Sequence, residues 1–239
     1  VQLIKTEAFE MPTNDQASNW PQNSLLAGHS ENARTLLAAK WKIEEFKAGR
    51  LIFGDKDPSR DVFFIIRGAA RAGAFTLNGR EVSFNVLQAG DCFGEIAAID
   101  GGMRSSNVAA LKDVTVGRLS AADFQQLLAS EAELSHAFFI LLCSKIRGMS
   151  DKLVEYAELT SAQRVRRELT RLAGNARTAV DSALITEMPT QSELATQILT
   201  RREAVTREIA RLQREGIVRR RKDGFFIPSV KRLEAEILA

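Results

Sequence analysis

Apolar residues change their spacing several times along the 239-residue chain. Residues 1–24 follow no period, and their polar stretch NDQASNWPQN reads as a loose N-terminal arm. SLLAGHSENARTLLAAKW then has helical spacing, with Ser30 and Glu31 as start signals. From Ile43 the apolar runs shorten to LIF, DVFFIIRGAARAGAF, EVSFNVL, SNVAAL and VTVGRL. They are rich in β-branched and aromatic residues and are separated by turn formers, which predicts a β-roll, sandwich or barrel. Asn78-Gly79 lies between two such runs and predicts a hairpin turn, because both residues tolerate positive φ.

Helical spacing returns at SAADFQQLLAS, where Ser120 is placed to cap and Asp123 to favour the first turn. A long helix is predicted from about Glu131 to Leu159. Within it Leu142, Ile146, Met149, Leu153 and Tyr156 alternate at spacings of four and three. Such a seam pairs two helices, or else packs on the chain's own β-domain. Gly148 within this helix costs up to ~1 kcal/mol relative to Ala, so its place calls for a close approach by a partner helix or a ligand.

The last third reads as helix, loop and then MPTQSELATQILTRREAVTREIARLQREGIVRRRKDGFFIPS. Thr190 and Glu193 form a capping box that opens a short helix with Leu194, Ala195 and Ile198 facing inward. Thr200 is expected to cap a second helix that buries Val205, Ile209 and Leu212. That order describes a helix-turn-helix, with Arg202, Glu203, Thr206 and Arg207 on the outer face of the second helix. Arg219-Arg220-Arg221-Lys222, an Asp223-Gly224 turn and Phe225-Phe226-Ile227 then predict a hairpin wing.

Charge agrees with that assignment. From Ser161 onward 16 Lys/Arg face 10 Asp/Glu, so this part carries +6 and the rest carries −3 of the net +3. A basic third suggests a polyanion partner for that third. Arg presents a fork to guanine O6 and N7, and Glu accepts from cytosine N4. Arg202, Glu203 and Arg207 are therefore candidate base readers. Thr200 and the wing arginines, Arg220 among them, are candidate phosphate contacts. The other reading of Glu203 and Arg207 is an i,i+4 surface pair.

A different chemistry is concentrated in FGEIAAIDGGMRSSNV, where Glu95 stands nine residues before Arg104 and Gly101-Gly102 lies between. A buried strand has no use for such a pair, whereas a small ligand bearing hydroxyls and a phosphate would engage both. A surface Glu95–Arg104 ion pair is the alternative. Enzyme signatures are lacking: no P-loop, H-E-x-x-H, G-x-S-x-G or C-x-x-C occurs, and His29 and His136 are the two histidines. Cys92 and Cys143 cannot build a disulfide framework, an iron–sulfur cluster or a cysteine-rich zinc site. No apolar run reaches the roughly 20 residues that span a bilayer, and the start lacks a signal-peptide core. The expectation is a cytoplasmic protein that is not an enzyme and does not engage a membrane.

From about Ser24 the chain resembles the family of bacterial regulators that includes catabolite activator protein and the fumarate–nitrate regulator. FKAGRLIFGDKD, DVFFIIRGAARAG, NGREVSFNVLQAGDCFGEIAAIDGGMRSSNVAAL and QSELATQILTRREAVTREIARLQREGIV fall in that family's order and spacing. The resemblance implies an α+β fold: an N-terminal jelly-roll that binds a cyclic nucleotide (25–130), a dimerisation helix (131–160) and a C-terminal winged helix-turn-helix (161–239). It implies cAMP or cGMP as effector, with Glu95 on the ribose hydroxyl, Arg104 on the cyclic phosphate and Ser105 assisting. Gly94, Ile96, Ala97 and Ser106 join that set, as do Met149 and Ser150 on the long helix. It also implies a homodimer on inverted-repeat DNA with GTGA-like half-sites, contacted by Thr190, Gln191, Thr200, Arg201, Arg202, Glu203, Thr206, Arg207 and Arg220. RNA polymerase follows as a further partner.

Three departures qualify the resemblance. Met149-Ser150 stands where cAMP-reading members carry Thr-Ser, which leaves adenine and guanine both open. Leu199 replaces the usual Gly of the helix-turn-helix, implying a turn of different geometry. Ser106 and Asn107 extend the phosphate segment, as ligand contacts or as a strand-end cap. Neither an N-terminal cysteine cluster nor a haem ligand is indicated. The rival functions are an effector-independent regulator of the same family and, from another class, a cyclic-nucleotide-binding regulatory subunit of an enzyme.

Overall fold

The computed structural model describes residues 36–37, 39–76, 81–176, 178 and 180–237. The expected arm, the helix start at Ser30 and Glu31, His29 and the Asn78-Gly79 turn lie outside the described residues. The chain divides into two compact units: residues 1–72 with 86–143, and residues 73–85 with 144–239.

Between Lys42 and Leu119, apolar runs at period two become strands because alternate side chains enter different layers. The strands are β1 (Lys42–Phe46), β2 (Leu51–Phe53), β3 (Val62–Arg67), β4 (Ala69–Phe75), β5 (Glu81–Gln88), β6 (Cys92–Phe93), β7 (Asn107–Ala110) and β8 (Val114–Leu119). They form two four-stranded sheets in the orders β1-β8-β3-β6 and β2-β7-β4-β5. β3 shows why VFFIIR is almost continuously apolar. Phe63 and Ile65 join Phe53, Phe93, Val114 and Val116 in one core. Val62 and Phe64 enter a second core with Leu37, Phe124, Leu134 and Phe138. A strand buried on both faces has no polar alternation to display.

That second core is closed by helices. α1 (Glu95–Asp100) follows β6; α2 (Ala121–Ser130) follows β8 and is capped by Ser120 Oγ, which accepts from the Asp123 amide at 3.1 Å. α3 runs from Ala132 to Glu158, within one residue of the predicted span at each end. Only Leu134, Ala137 and Phe138 in its first two turns are buried. Among the described residues no single helix is long and apolar enough to cross a membrane.

The second unit has its own core around Val165, Leu169, Leu194, Val205, Leu212 and Ile217. It contains α4 (Ser161–Gly174), β9 (Ala183–Ile185), α5 (Gln191–Gln197), α6 (Arg202–Arg214), β10 (Arg219–Arg221), β11 (Gly224–Ile227) and α7 (Val230–Ala235). Its sheet has the order β10-β11-β9. Thr160 opens α4 with a reciprocal capping box to Gln163, so the chain breaks between α3 and α4 at a defined residue. Arg221 pairs with Gly224, which makes Lys222-Asp223 the two-residue turn of the wing, one position earlier than the sequence reading. Gly224 serves β11 instead, where a Cβ, at φ 145°, would lie 2.2 Å from the Ile185 carbonyl oxygen of β9.

Candidate functional site

The Gly-Glu pair opens α1. Gly94 takes a left-handed backbone (φ 82°) that turns the chain into this six-residue helix. Glu95, its first residue, is 2% exposed. Ala97 is buried, whereas the Ile96 side chain is exposed. After Gly101 and Gly102 the chain reaches Arg104, which is 3% exposed. Its backbone is pinned to the preceding loop: the Arg104 amide donates to Asp57 O at 3.3 Å and the Lys56 amide donates to Arg104 O at 3.2 Å.

The guanidinium is bound from three sides. Nη1 donates to Gly94 O at 2.9 Å, Nη2 to Asp61 O at 2.8 Å, and Nε to Ser59 Oγ at 3.3 Å. Its carbon lies 4.1 Å from the centre of the Phe53 ring, at cation–π distance. Gly94 is required here for a second reason: a Cβ would sit 2.6 Å from Arg104 Nη1. Burial pulls the Arg104 pKa down, and the Asp61 and Asp57 carboxylates oppose that shift. An arginine starts so high that it remains a cation. Ser105 is exposed and Ser106 half-buried. Asn107 Oδ1 accepts from the Asp55 amide at 2.8 Å, so Asn107 holds the loop before β7.

This donor set fits a cyclic mononucleotide: a buried guanidinium for a phosphate, a buried carboxylate for a sugar hydroxyl, and two loop hydroxyls. With both Glu95 and Arg104 buried, they are not a surface pair. Ser59, Asp61 and Phe53, which orient the arginine, escaped the sequence reading. They lie 43–51 residues before it, and only the pairing of β3 with β6 and of β2 with β7 brings them near.

On α3, Ile146, Met149 and Leu153 are exposed, Met149 by 71%. Ser150 Oγ donates back to Ile146 O at 3.1 Å within its own helix, and Leu142 is half-buried. A Cβ at Gly148 would meet nothing of this chain within 4 Å. Tyr156, expected on the seam, turns its hydroxyl to donate to Gln197 O at 3.2 Å. Burial pushes its phenol pKa up, which keeps it a donor.

In the winged helix Thr190 and Glu193 form the expected reciprocal box at the start of α5. Thr206 Oγ1 donates to Gln191 Oε1 at 2.6 Å and so ties α6 to α5. The N-cap of α6 is Arg201, with no side-chain cap bond, and Thr200 is 9% exposed. The expectation that Thr200 caps this helix is therefore corrected: the helix begins one residue later, with Arg201 in the cap position. Leu199 adopts φ 51°, the left-handed conformation natural to glycine. A residue with a Cβ holds that conformation at a cost of roughly 1–2 kcal/mol. Arg201, Arg202, Glu203 and Arg207 are exposed on α6, as are Arg219 to Arg221 on the wing. Arg221 is stacked 3.7 Å from the centre of the Phe226 ring.

A buried ion cluster beneath α6 also escaped the sequence reading. Glu208, 6% exposed, accepts from Arg166 Nε at 2.8 Å and from Arg211 Nη2 at 2.8 Å. Only its i,i+3 spacing to Arg211 was visible in the sequence. Among the described residues no group of His, Cys, Asp and Glu is placed to hold a metal ion.

A β-roll with a buried acid and base at one turn, joined by a long helix to a winged helix with an exposed basic face, defines a ligand-sensing DNA-binding regulator. Residues 43–131 match the cyclic nucleotide-binding domain model and residues 163–236 the Crp-like helix-turn-helix model. The CRP-like cAMP-activated global transcriptional regulator of Mycobacterium tuberculosis is 24% identical over 210 residues, covering 87% of this chain and 94% of that protein. The cAMP-activated global transcriptional regulator Vfr of Pseudomonas aeruginosa is 28% identical over 168 residues, covering 68% and 78%. A CooA variant from Carboxydothermus hydrogenoformans shares the fold with a TM-score of 0.74 at 15% identity, covering 93% and 99%. The chain belongs to the CRP/FNR family of transcription regulators, and it is a DNA-binding regulator rather than an enzyme.

Proposed function

We propose that the protein is a homodimeric transcription factor whose affinity for palindromic DNA is set by cAMP or cGMP. The observation that carries this reading is the burial of Glu95 and Arg104 on either side of the Gly101-Gly102 turn, inside the segment that matches the cyclic nucleotide-binding model. Burying charge is costly unless partners compensate, so a roll that needed only stability would fill these positions with apolar side chains. Glu95 takes the ribose hydroxyl; Arg104, Ser105 and Ser106 take the phosphate; Met149 and Ser150 approach the base. The exposed apolar stripe of α3 pairs with the same stripe of a second copy. The ligand acts by binding one packing of the paired helices more tightly than the other. Arg202, Glu203 and Arg207 then read inverted GTGA-like half-sites from cytoplasmic DNA, where RNA polymerase is the further partner.

Calorimetric titration with cAMP and then cGMP tests this, with Arg104→Ala as the control. Binding of one nucleotide that the variant loses supports the pocket and names the base. Absence of binding by both rejects it. One observation favours a second reading. The Arg104 guanidinium already has three protein acceptors, Gly94 O, Asp61 O and Ser59 Oγ, which suits a regulator that needs no effector. In that case DNA affinity is the same with and without nucleotide.

A further inference from the structure

We infer that Tyr156 and Arg164 clamp the turn before the recognition helix α6 and are positioning residues that fix its orientation relative to α3. The inference rests on the DNA-reading role proposed above and adds the joint through which α3 would act on that reading.

The turn between α5 and α6 needs outside support. Leu199 holds a left-handed backbone in spite of its Cβ, and α6 starts without a side-chain cap. The carbonyl of Gln197 belongs to the last turn of α5, where no further helical amide is available to satisfy it. Two side chains from outside the motif supply donors. Tyr156 Oη donates to Gln197 O at 3.2 Å, and Arg164 Nη2 donates to Leu199 O at 3.3 Å. The two donors also touch each other, with the Arg164 guanidinium carbon 5.5 Å from the Tyr156 ring centre. Tyr156 lies two residues before the end of α3, and Arg164 lies in the first turn of α4. The α3–α4 joint and the α5–α6 turn are thus held as one block.

Tyr156 is also seven residues beyond Met149, at the end of the exposed stripe of α3. Any repacking of that stripe moves the residue whose hydroxyl grips the turn. Without the grip, α6 pivots more freely and the two recognition helices of a dimer lose their fixed separation. Half-site spacing is the geometric readout of that separation.

The full-length protein and its Tyr156→Phe and Arg164→Met variants would be titrated against duplexes carrying inverted GTGA-type half-sites. Spacing is stepped one base pair at a time around the optimum, with and without saturating cAMP or cGMP. A duplex with a single half-site serves as control. For each variant the preference for the optimal spacing over one two base pairs away should fall about fivefold, in the range expected for one hydrogen bond. Single half-site affinity and Tm should stay within error of wild type. A variant that loses single-site affinity and optimal-site affinity alike would show a merely structural role and overturn the clamp, and so would an unchanged spacing profile. Amide exchange of residues 198–201 gives a readout that needs no DNA. It should accelerate in Tyr156→Phe while the centre of α6 stays protected, and unaltered exchange rejects the clamp. A wild-type profile indifferent to both nucleotides removes the effector reading alone, and failure to bind any duplex removes the DNA-reading role. In both cases the exchange measurement still decides the clamp.

Discussion

Arg104 in the β-roll and Arg202 at the start of α6 carry the same side chain into opposite surroundings. Arg104 is 3% exposed and donates to Gly94 O, Asp61 O and Ser59 Oγ, whereas Arg202 stands in solvent. A ligand at the first must offer more than acceptors already in place, so its affinity is a difference between two well-satisfied states. A polyanion at the second displaces water and counterions, and the gain falls with salt.

The sharpest way to break this comparison is at Arg104. Charge-assisted hydrogen bonds contribute about 1.5–3 kcal/mol each, so loss of a bidentate phosphate contact in Arg104→Ala should weaken nucleotide binding by about 100-fold or more. Calorimetry reads the loss, and sedimentation should still show a folded dimer. Gly94→Ala should act on the same contact without touching the arginine, since its Cβ would lie 2.6 Å from Nη1. Retained affinity in both variants would sink the phosphate assignment.

Smaller effects are expected at the exposed face, and they differ in kind. Arg202→Ala should lower affinity by about 1–3 kcal/mol at one G·C pair and relax preference there, measured by competition among single-base variants of the site. Arg220→Ala, on the wing, should weaken all sequences alike. Its plot of log affinity against log salt should be shallower by about 0.9, the share of one phosphate contact. If the two variants behave alike, the division between base reader and phosphate clamp is wrong.

What the sequence revealed follows the range of the physics involved. The β-runs, α3 to within a residue at each end, the Thr190 box and the inward face of α5 and α6 were legible, because periodicity and capping act over a few residues. Glu95 and Arg104 were legible as a pair, but not the cradle of Ser59, Asp61 and Phe53, which only strand pairing assembles. The left-handed backbone of Leu199 was not legible, because a residue's usual conformation is a preference that its surroundings can override. Thr200 misled for a related reason. Both it and Arg201 precede the helix, and tertiary packing decided which became the cap.

Glu208 sharpens the comparison from a third side, as a buried charge whose partners are permanent. Burial alone would raise its pKa, yet hydrogen bonds from Arg211 and Arg166 outweigh that and hold the carboxyl below its usual value. Arg211 is in turn tied to Glu215 at 2.7 Å and Glu236 at 3.0 Å, so the cluster ties α6 to the C-terminal segment after α7. A carboxyl whose folded pKa is depressed stabilises the fold fully above its unfolded pKa, about 4.3 for Glu, and loses that contribution as pH falls through the folded value. The winged helix should accordingly lose Tm on acidification below about pH 4.3, as this group takes up its proton. In Glu208→Gln that share of the acid slope should vanish, because an amide does not titrate, although its Tm at pH 7 will be lower. Thermal melts of the two proteins from pH 7 to 3 compare the slopes directly. Parallel curves would mean that the buried Glu208 cluster contributes packing and hydrogen bonds but no proton linkage.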